Sequence, residues 1–285
     1  MKKGYGVYFL LLASILIYQG VSYAATVGNP LDLDVPSNSS MLRQRVIEGT
    51  MDEAEQMIKI KTSLDLEFVF DKDLDSSSEV GSPEISGQWH MVKIGATVLD
   101  RVEPYIKLGT SVLTAEWKQN NQSNIEVESE TGFAWGAGLK AVLWDFDDWG
   151  VRLTGDLQYR HAEPDAAEIT KNASTVTDTG ADFEISEYQL SFIASKKFEL
   201  PLKWQSLFIV PYAGFSLSDS TVDVSFKDPN APGAAYSLFN ASNGEKLGLI
   251  FGCDILPSLT SSFIYSLELR LINELALSLG GTVKF

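Results

Sequence analysis

From Ile58 onward the chain alternates, and this alternation restricts its fold more than any other feature. Ile58, Ile60, Thr62, Leu64, Leu66, Phe68 and Phe70 fall on one parity; Lys59, Lys61, Ser63, Asp65, Glu67 and Val69 fall on the other. Successive strand residues point to opposite faces, so the stretch reads as a strand with one apolar and one polar face. The pattern returns in Val151, Leu153, Gly155, Leu157 and Tyr159 against Arg152, Thr154, Asp156, Gln158 and Arg160. It is clearest at the end, where Leu275, Leu277, Leu279, Gly281, Val283 and Phe285 oppose Ala276, Ser278, Gly280, Thr282 and Lys284. A period of two sustained this widely calls for an all-β fold.

Ten strands are expected, near 57–70, 87–98, 103–116, 131–144, 149–161, 183–195, 206–217, 245–256, 261–271 and 275–285. Eight remain as the alternative if a weak segment such as 87–98 is not a strand. The links alternate between short or moderate ones and long polar ones near 71–86, 117–130, 162–182 and 218–244. The last hairpin turns through Ile272-Asn273-Glu274, which sets Leu269 against Leu277, with Asn273 suited to the left-handed position such a link often needs.

The other end carries Lys2 and Lys3, an apolar run over 5–21, and Ser22-Tyr23-Ala24. That order reads as a secretory signal over 1–24. Residues 25–56 follow as a periplasmic leader or a segment that plugs the barrel, and 57–285 form the barrel itself. No later stretch has the roughly 18 unbroken apolar residues of a spanning helix. The chain is then a soluble periplasmic β protein or a membrane barrel, and alternation alone does not choose. Three features favour an antiparallel up-and-down transmembrane β-barrel: the signal, the short-and-long asymmetry of the links, and the tryptophans near strand ends. Trp117, Trp135, Trp144, Trp149 and Trp204 are the expected interface aromatics.

The ending 275–285 resembles the C-terminal targeting strand of bacterial outer-membrane barrels, in which alternate apolar residues lead to a terminal aromatic. Pro104-Tyr-Ile-Lys-Leu-Gly109 and Pro211-Tyr-Ala-Gly214 resemble strand starts of small OmpA/Opa-like barrels. The resemblance covers 57–285 and lacks a peptidoglycan-binding domain. It implies an outer-membrane location and an assembly signal in Leu277, Leu279, Gly281, Val283 and Phe285, read by the barrel-assembly machinery. Outer-membrane lipid and lipopolysaccharide are the implied surroundings, and a monomer is expected.

The polar parity gives an expected lumen network of Lys59, Lys61, Asp65, Glu67, Lys93, Glu103, Lys107, Lys140, Arg152, Asp156, Arg160, Glu187, Asp254, Glu268 and Arg270, with Lys284 on the same face. In so narrow a barrel side chains fill the interior, and opposite charges there must pair. The acidity lies elsewhere: the long links, taken as 71–86, 116–131, 161–182 and 218–244, hold 17 acids against Lys72, Lys118, Lys171 and Lys227. Such loops suit divalent cations or a basic ligand. A net charge of −16 argues against nucleic acid.

Cys253 is alone, so no internal disulfide exists. His90 and His161 are the two histidines, and parity aims both at lipid or the interface. His161-Ala-Glu163-Pro-Asp165 offers a base beside carboxylates, yet no nucleophile arrangement or ligand spacing accompanies it. No catalytic, cofactor or metal site is expected. The expectation is a non-enzymatic, structural or surface-binding (adhesin-like) barrel; the alternatives are a narrow passive channel and, behind it, a rim-located hydrolase.

Overall fold

In the computed structural model the described residues run from Ile58 to Phe285, apart from 77–79, 120–122, 173, 178–180, 202–205, 228–234 and 258–261. The segments 1–24 and 25–56 and the side chain of Trp204 lie outside them. Among the described residues the strands are β1 (Ile58–Ser76), β2 (Val80–Val98), β3 (Val102–Gln119), β4 (Ser123–Ser129), β5 (Gly132–Phe146), β6 (Val151–Ala162), β7 (Ala166–Lys171), β8 (Ser174–Thr177), β9 (Ala181–Lys196), β10 (Phe198–Pro201), β11 (Ser206–Lys227), β12 (Ala235–Asn243), β13 (Leu247–Leu256), β14 (Phe263–Leu271) and β15 (Leu275–Lys284).

Ten of these close a barrel. Going round it, β1 is followed by β2, β3, β5, β6, β9, β11, β13, β14 and β15, and β15 pairs back onto β1, every neighbour antiparallel. All ten expected strands are staves, so the eight-strand alternative is excluded. Closure satisfies both edges of each of these strands, so their ladder donors and acceptors find partners within the wall.

The last hairpin has the expected register, with Leu269 opposite Leu277. Its left-handed residue is Ile272 (φ 85°), not Asn273 as the sequence suggested. Asn273 points inward instead, where its amide donates to Ser218 Oγ at 2.9 Å. The inward hydrogen bond decides the turn against the ordinary preference of asparagine.

The long polar links are the larger correction. They are mostly strand, and they build a second tier on the barrel. At β1 the switch between tiers is visible residue by residue. Leu64, Leu66, Phe68 and Phe70 face outward, while Asp65, Glu67 and Val69 face in. The register then slips between Val69 and Asp71 against β15, and between Val69 and Lys72 against β2. Such a bulge adds one residue and so exchanges the two faces. Above it Asp71, Asp73 and Asp75 are outside, and Lys72 and Leu74 are inside.

In this upper tier β4 replaces the end of β5, pairing with β3 and β7. β7 is tied to β9 by the Asp165–Asp182 bridge and by Phe183 N–H donating to Pro164 O at 3.1 Å. β12 closes the far side by pairing with both β11 and β1, above the shorter β13 to β15. The inward faces form an apolar core that includes Val69, Leu74, Ile85, Trp89, Leu113, Trp117, Val127, Phe183, Ile185, Val222, Val224 and Phe239. Burying side chains of this size stabilises the fold by about 1.5–3 kcal/mol each, which is what lets strands persist beyond the barrel wall.

Candidate functional site

The interior of the lower tier is built from the polar parity. Lys61, Asp65, Glu67, Lys93, Glu103, Lys107, Lys140, Arg152, Asp156, Arg160, Glu187, Asp254, Glu268 and Arg270 are all buried there. Lys59 is half-buried at the lower rim, 2.9 Å from Asp100. Glu103 takes Lys61 at 3.3 Å and Lys93 at 3.7 Å, and Lys107 stands 3.7 Å from Asp65. Tyr105 donates to Asp156 at 2.8 Å. Higher in the barrel Arg160 binds Glu67 at 2.7 Å and Glu187 at 3.1 Å, with its guanidinium 4.5 Å from the Trp89 ring. Arg270 lies 3.3 Å from Glu268 and 3.6 Å from Glu274.

Two members of this network were not read from the sequence. Lys72 bridges Glu187 and Glu274 from a segment whose polar composition suggests a loop. The signal was present: Asp71, Asp73 and Asp75 against Lys72 and Leu74 continues a period of two with the faces exchanged. Glu274 was hidden in a turn. Tyr105 and Tyr212, the aromatics of the two Pro-Tyr pieces, also face inward and donate to Asp156 and Glu268.

Outside, the lower tier presents an apolar band bounded by aromatics. At its upper edge Trp135 packs edge-on against Tyr159 with ring centres 5.3 Å apart, and Tyr159 meets Tyr188 at 4.7 Å. At its lower edge Trp144 and Trp149 flank Phe146, at 6.4 and 6.1 Å. From Trp135 to Trp144 the strand rises about 30 Å, or about 23 Å along the axis at a tilt of about 40°, close to the apolar band of membrane barrels. Trp117 does not belong to either girdle. It sits on the inward face of β3 in the upper tier, stacked on Phe239 at 4.6 Å, because there the inside is the apolar side. Leu277, Leu279, Gly281, Val283 and Phe285 lie on the outward face of the last strand, with Phe285 N–H donating to Ile60 O at 3.2 Å.

The outer face of the upper tier is acidic by register. Asp73 stands opposite Glu84, Glu84 opposite Glu116, and Glu116 opposite Glu126, across four neighbouring strands. Like charges directly opposite each other disfavour pairing. Partial burial pushes the carboxyls of Glu84 and Glu116 above the usual range, and their acidic neighbours add to the rise. The same holds for Asp71 beside Asp73. A groove of about 660 Å³ runs along this row, lined by Glu84, Glu116, Lys118, Asn124, Glu126 and Thr170 among others.

His90 and His161 both face outward. His90 is exposed on β2. His161 is held on β6 by Ser186 Oγ at 2.9 Å from Nδ1 and Glu163 Oε1 at 2.8 Å from Nε2. These contacts place a serine hydroxyl on one ring nitrogen and a carboxylate on the other, the partner types of a nucleophile–base arrangement, which the sequence alone did not bring together.

No protein-family model matches the sequence, and no curated protein matches it. Solved structures with a similar arrangement include the translocator domain of the autotransporter NalP from Neisseria meningitidis, at 13% identity and a TM-score of 0.35, covering 86% of this chain and 95% of that one. The outer membrane protease OmpT from Escherichia coli matches at 7% identity and a TM-score of 0.40, covering 80% and 92%. The transport unit of the autotransporter AIDA-I from Escherichia coli matches at 7% and 0.37, covering 86% and 95%. With its closed ten-strand sheet, apolar outer band and charged interior, this chain is an outer-membrane-type β-barrel.

Proposed function

We propose that the protein is a closed, non-enzymatic barrel of the outer membrane whose upper tier stands outside the cell and presents an acidic sheet surface to a basic ligand. One observation carries this reading. The charges inside the lower tier are shut away from water, Glu103, Lys140, Asp254 and Arg270 completely, and the apolar upper core lies over them. A conducting lumen keeps its lining wet. These side chains are spent on one another instead, as a confined interior requires. The alternative of a narrow channel therefore has little support.

In this reading the aromatic girdles fix the barrel in lipid, with lipopolysaccharide around the upper girdle. The strand ending on Phe285 serves the barrel-assembly machinery. The long strands of the upper tier lift the acidic face clear of the headgroups, where it attracts cationic surfaces over about a Debye length, roughly 8–10 Å.

Purified protein in a planar bilayer should give no steady openings, and regular conductance steps would overturn the closed interior. Binding of a lysine-rich peptide to the intact barrel should weaken with salt. It should fall at least about tenfold in an Asp73→Asn, Glu84→Gln, Glu116→Gln, Glu126→Gln variant, a loss of about 0.35 kcal/mol for each charge removed. Unchanged binding would overturn the acidic-surface role.

A further inference from the structure

We propose that His161, Glu163 and Glu184 form a transition-metal site on the outer wall, at the upper edge of the upper aromatic girdle, where His161 pairs with Trp135. Their donor atoms all lie within 4.8 Å of one another, and they are the group of this kind found among the described residues. The strand geometry explains the convergence. His161 and Glu163 are two residues apart and so share the outward side of β6 and its continuation. The β6–β9 register places Ser186 opposite His161 and Ile185 opposite Ala162, so Glu184 comes level with Glu163 where the pairing ends.

Two further features aim this group at a cation. First, the imidazole is oriented from its far side: Nδ1 lies 2.9 Å from Ser186 Oγ, which leaves Nε2 directed at the carboxylates. Metal-bound histidines characteristically have their second nitrogen held in this way. The ring is also packed, nearly parallel to Tyr159 at 6.4 Å and 6.0 Å from Trp135. Second, Glu184 stands opposite Asp223 on β11, which Asn240 holds at 2.9 Å. Acids are thus placed side by side across the wall at this height, an arrangement that disfavours strand pairing unless a cation lies among them.

The donor set names the class of ion. Calcium and magnesium take oxygen ligands, whereas one imidazole nitrogen with two carboxylates suits zinc and its first-row neighbours. Bond lengths of about 2.0–2.2 Å require donors about 3.2–3.6 Å apart in a tetrahedral set, so Glu163 must open from 2.8 Å and the wider spacings, up to 4.8 Å, must close, adjustments that exposed glutamate side chains can make. The ring binds a metal through Nε2 as the neutral tautomer with its proton on Nδ1, where Nδ1–H donates to Ser186 Oγ. Three protein ligands leave a position open toward solvent for water or an external anionic donor.

The test is zinc binding by the intact, folded barrel in detergent, by titration against a chromophoric chelator, with cobalt as a spectroscopic substitute. One equivalent of zinc should bind, and cobalt should give visible absorption bands. Glu163→Gln with Glu184→Gln, and separately His161→Gln, should abolish both signals. Ser186→Ala should weaken affinity about tenfold, and His90→Gln should leave it unchanged. Retention of the heat-modifiable band checks folding. Should the His161 variant fail to fold, the exposed glutamates carry the test. Equal uptake by the double glutamine variant and the unaltered protein, or no saturable uptake, would overturn the site and reduce it to a histidine–glutamate hydrogen bond. Displacement of zinc by equimolar calcium would overturn the assigned ion class.

Discussion

Arg160 on β6 and Glu67 on β1 meet inside the barrel at 2.7 Å, although 93 residues separate them and their strands are not neighbours in the wall. The pair spans the interior, and Glu187 completes it at 3.1 Å from the same guanidinium. Removing the guanidinium breaks both buried pairs at once, leaving Glu187 only Lys72 and Glu67 only the longer 3.7 Å contact with Arg270 among these ion pairs. Arg160→Ala should therefore destabilise the barrel by about 3–5 kcal/mol, the range for breaking a buried ion pair. The urea midpoint of the heat-modifiable folded form measures this, and an unchanged midpoint would deny the network a structural role.

The stack of Trp117 on Phe239 joins β3 to β12 and holds the upper core together. Trp117→Ala should cost about 3–5 kcal/mol in that tier. The loss should be local, because the ten-stave wall below has its own closed ladder. Limited proteolysis should cut the upper tier of the variant faster while the lower tier remains protected. Equal protection of both tiers would mean that they do not unfold separately.

Acidification should strengthen the upper tier. Asp71, Glu84 and Glu116 have carboxyl pKa values raised above 3.8, 4.5 and 4.5 by partial burial and acidic neighbours, so the folded state holds protons that the unfolded chain releases. For an acid raised on folding, stability falls as pH climbs from the ordinary value through the folded one, and the cost is complete above it. Amide exchange in β2 and β3 above Leu113 should slow as pH falls from neutrality toward 4.5, after correction for intrinsic rates. Glu116→Gln should reproduce part of the gain at neutral pH, about 0.2–1 kcal/mol.

Two glycines hold the inward tyrosines. Tyr105 lies over Gly138, its partner on β5, and Tyr212 lies over Gly252, its partner on β13; a Cβ on either glycine would overlap the tyrosine ring. Gly138→Ala or Gly252→Ala should cost about 1–3 kcal/mol by overpacking. Each should also displace the phenol from Asp156 or Glu268. Tyrosine fluorescence and the urea midpoint should change together, and a silent alanine would mean that the ring has room to move.

The sequence by itself determined the staves, their inward charges and the band outside. A period of two needs no distant partner to be read, and the parity of residues 58–70 or 275–285 already separates the two faces. What it did not determine begins at Phe70. One extra residue in a bulge exchanges inside and outside, turning Asp71–Asp75 from apparent loop into strand and Trp117 from a girdle residue into core. Lys72 joined the ion network for the same reason. Whether a residue is extra depends on the strands beside it, so β2 and β15 had to be in place before the faces of β1 were defined. Glu184 stands level with Glu163 only through the register of β6 with β9, and register belongs to the assembled sheet. Local alternation says which residues share a face; pairing across the closed wall decides which faces meet and which charges stand together.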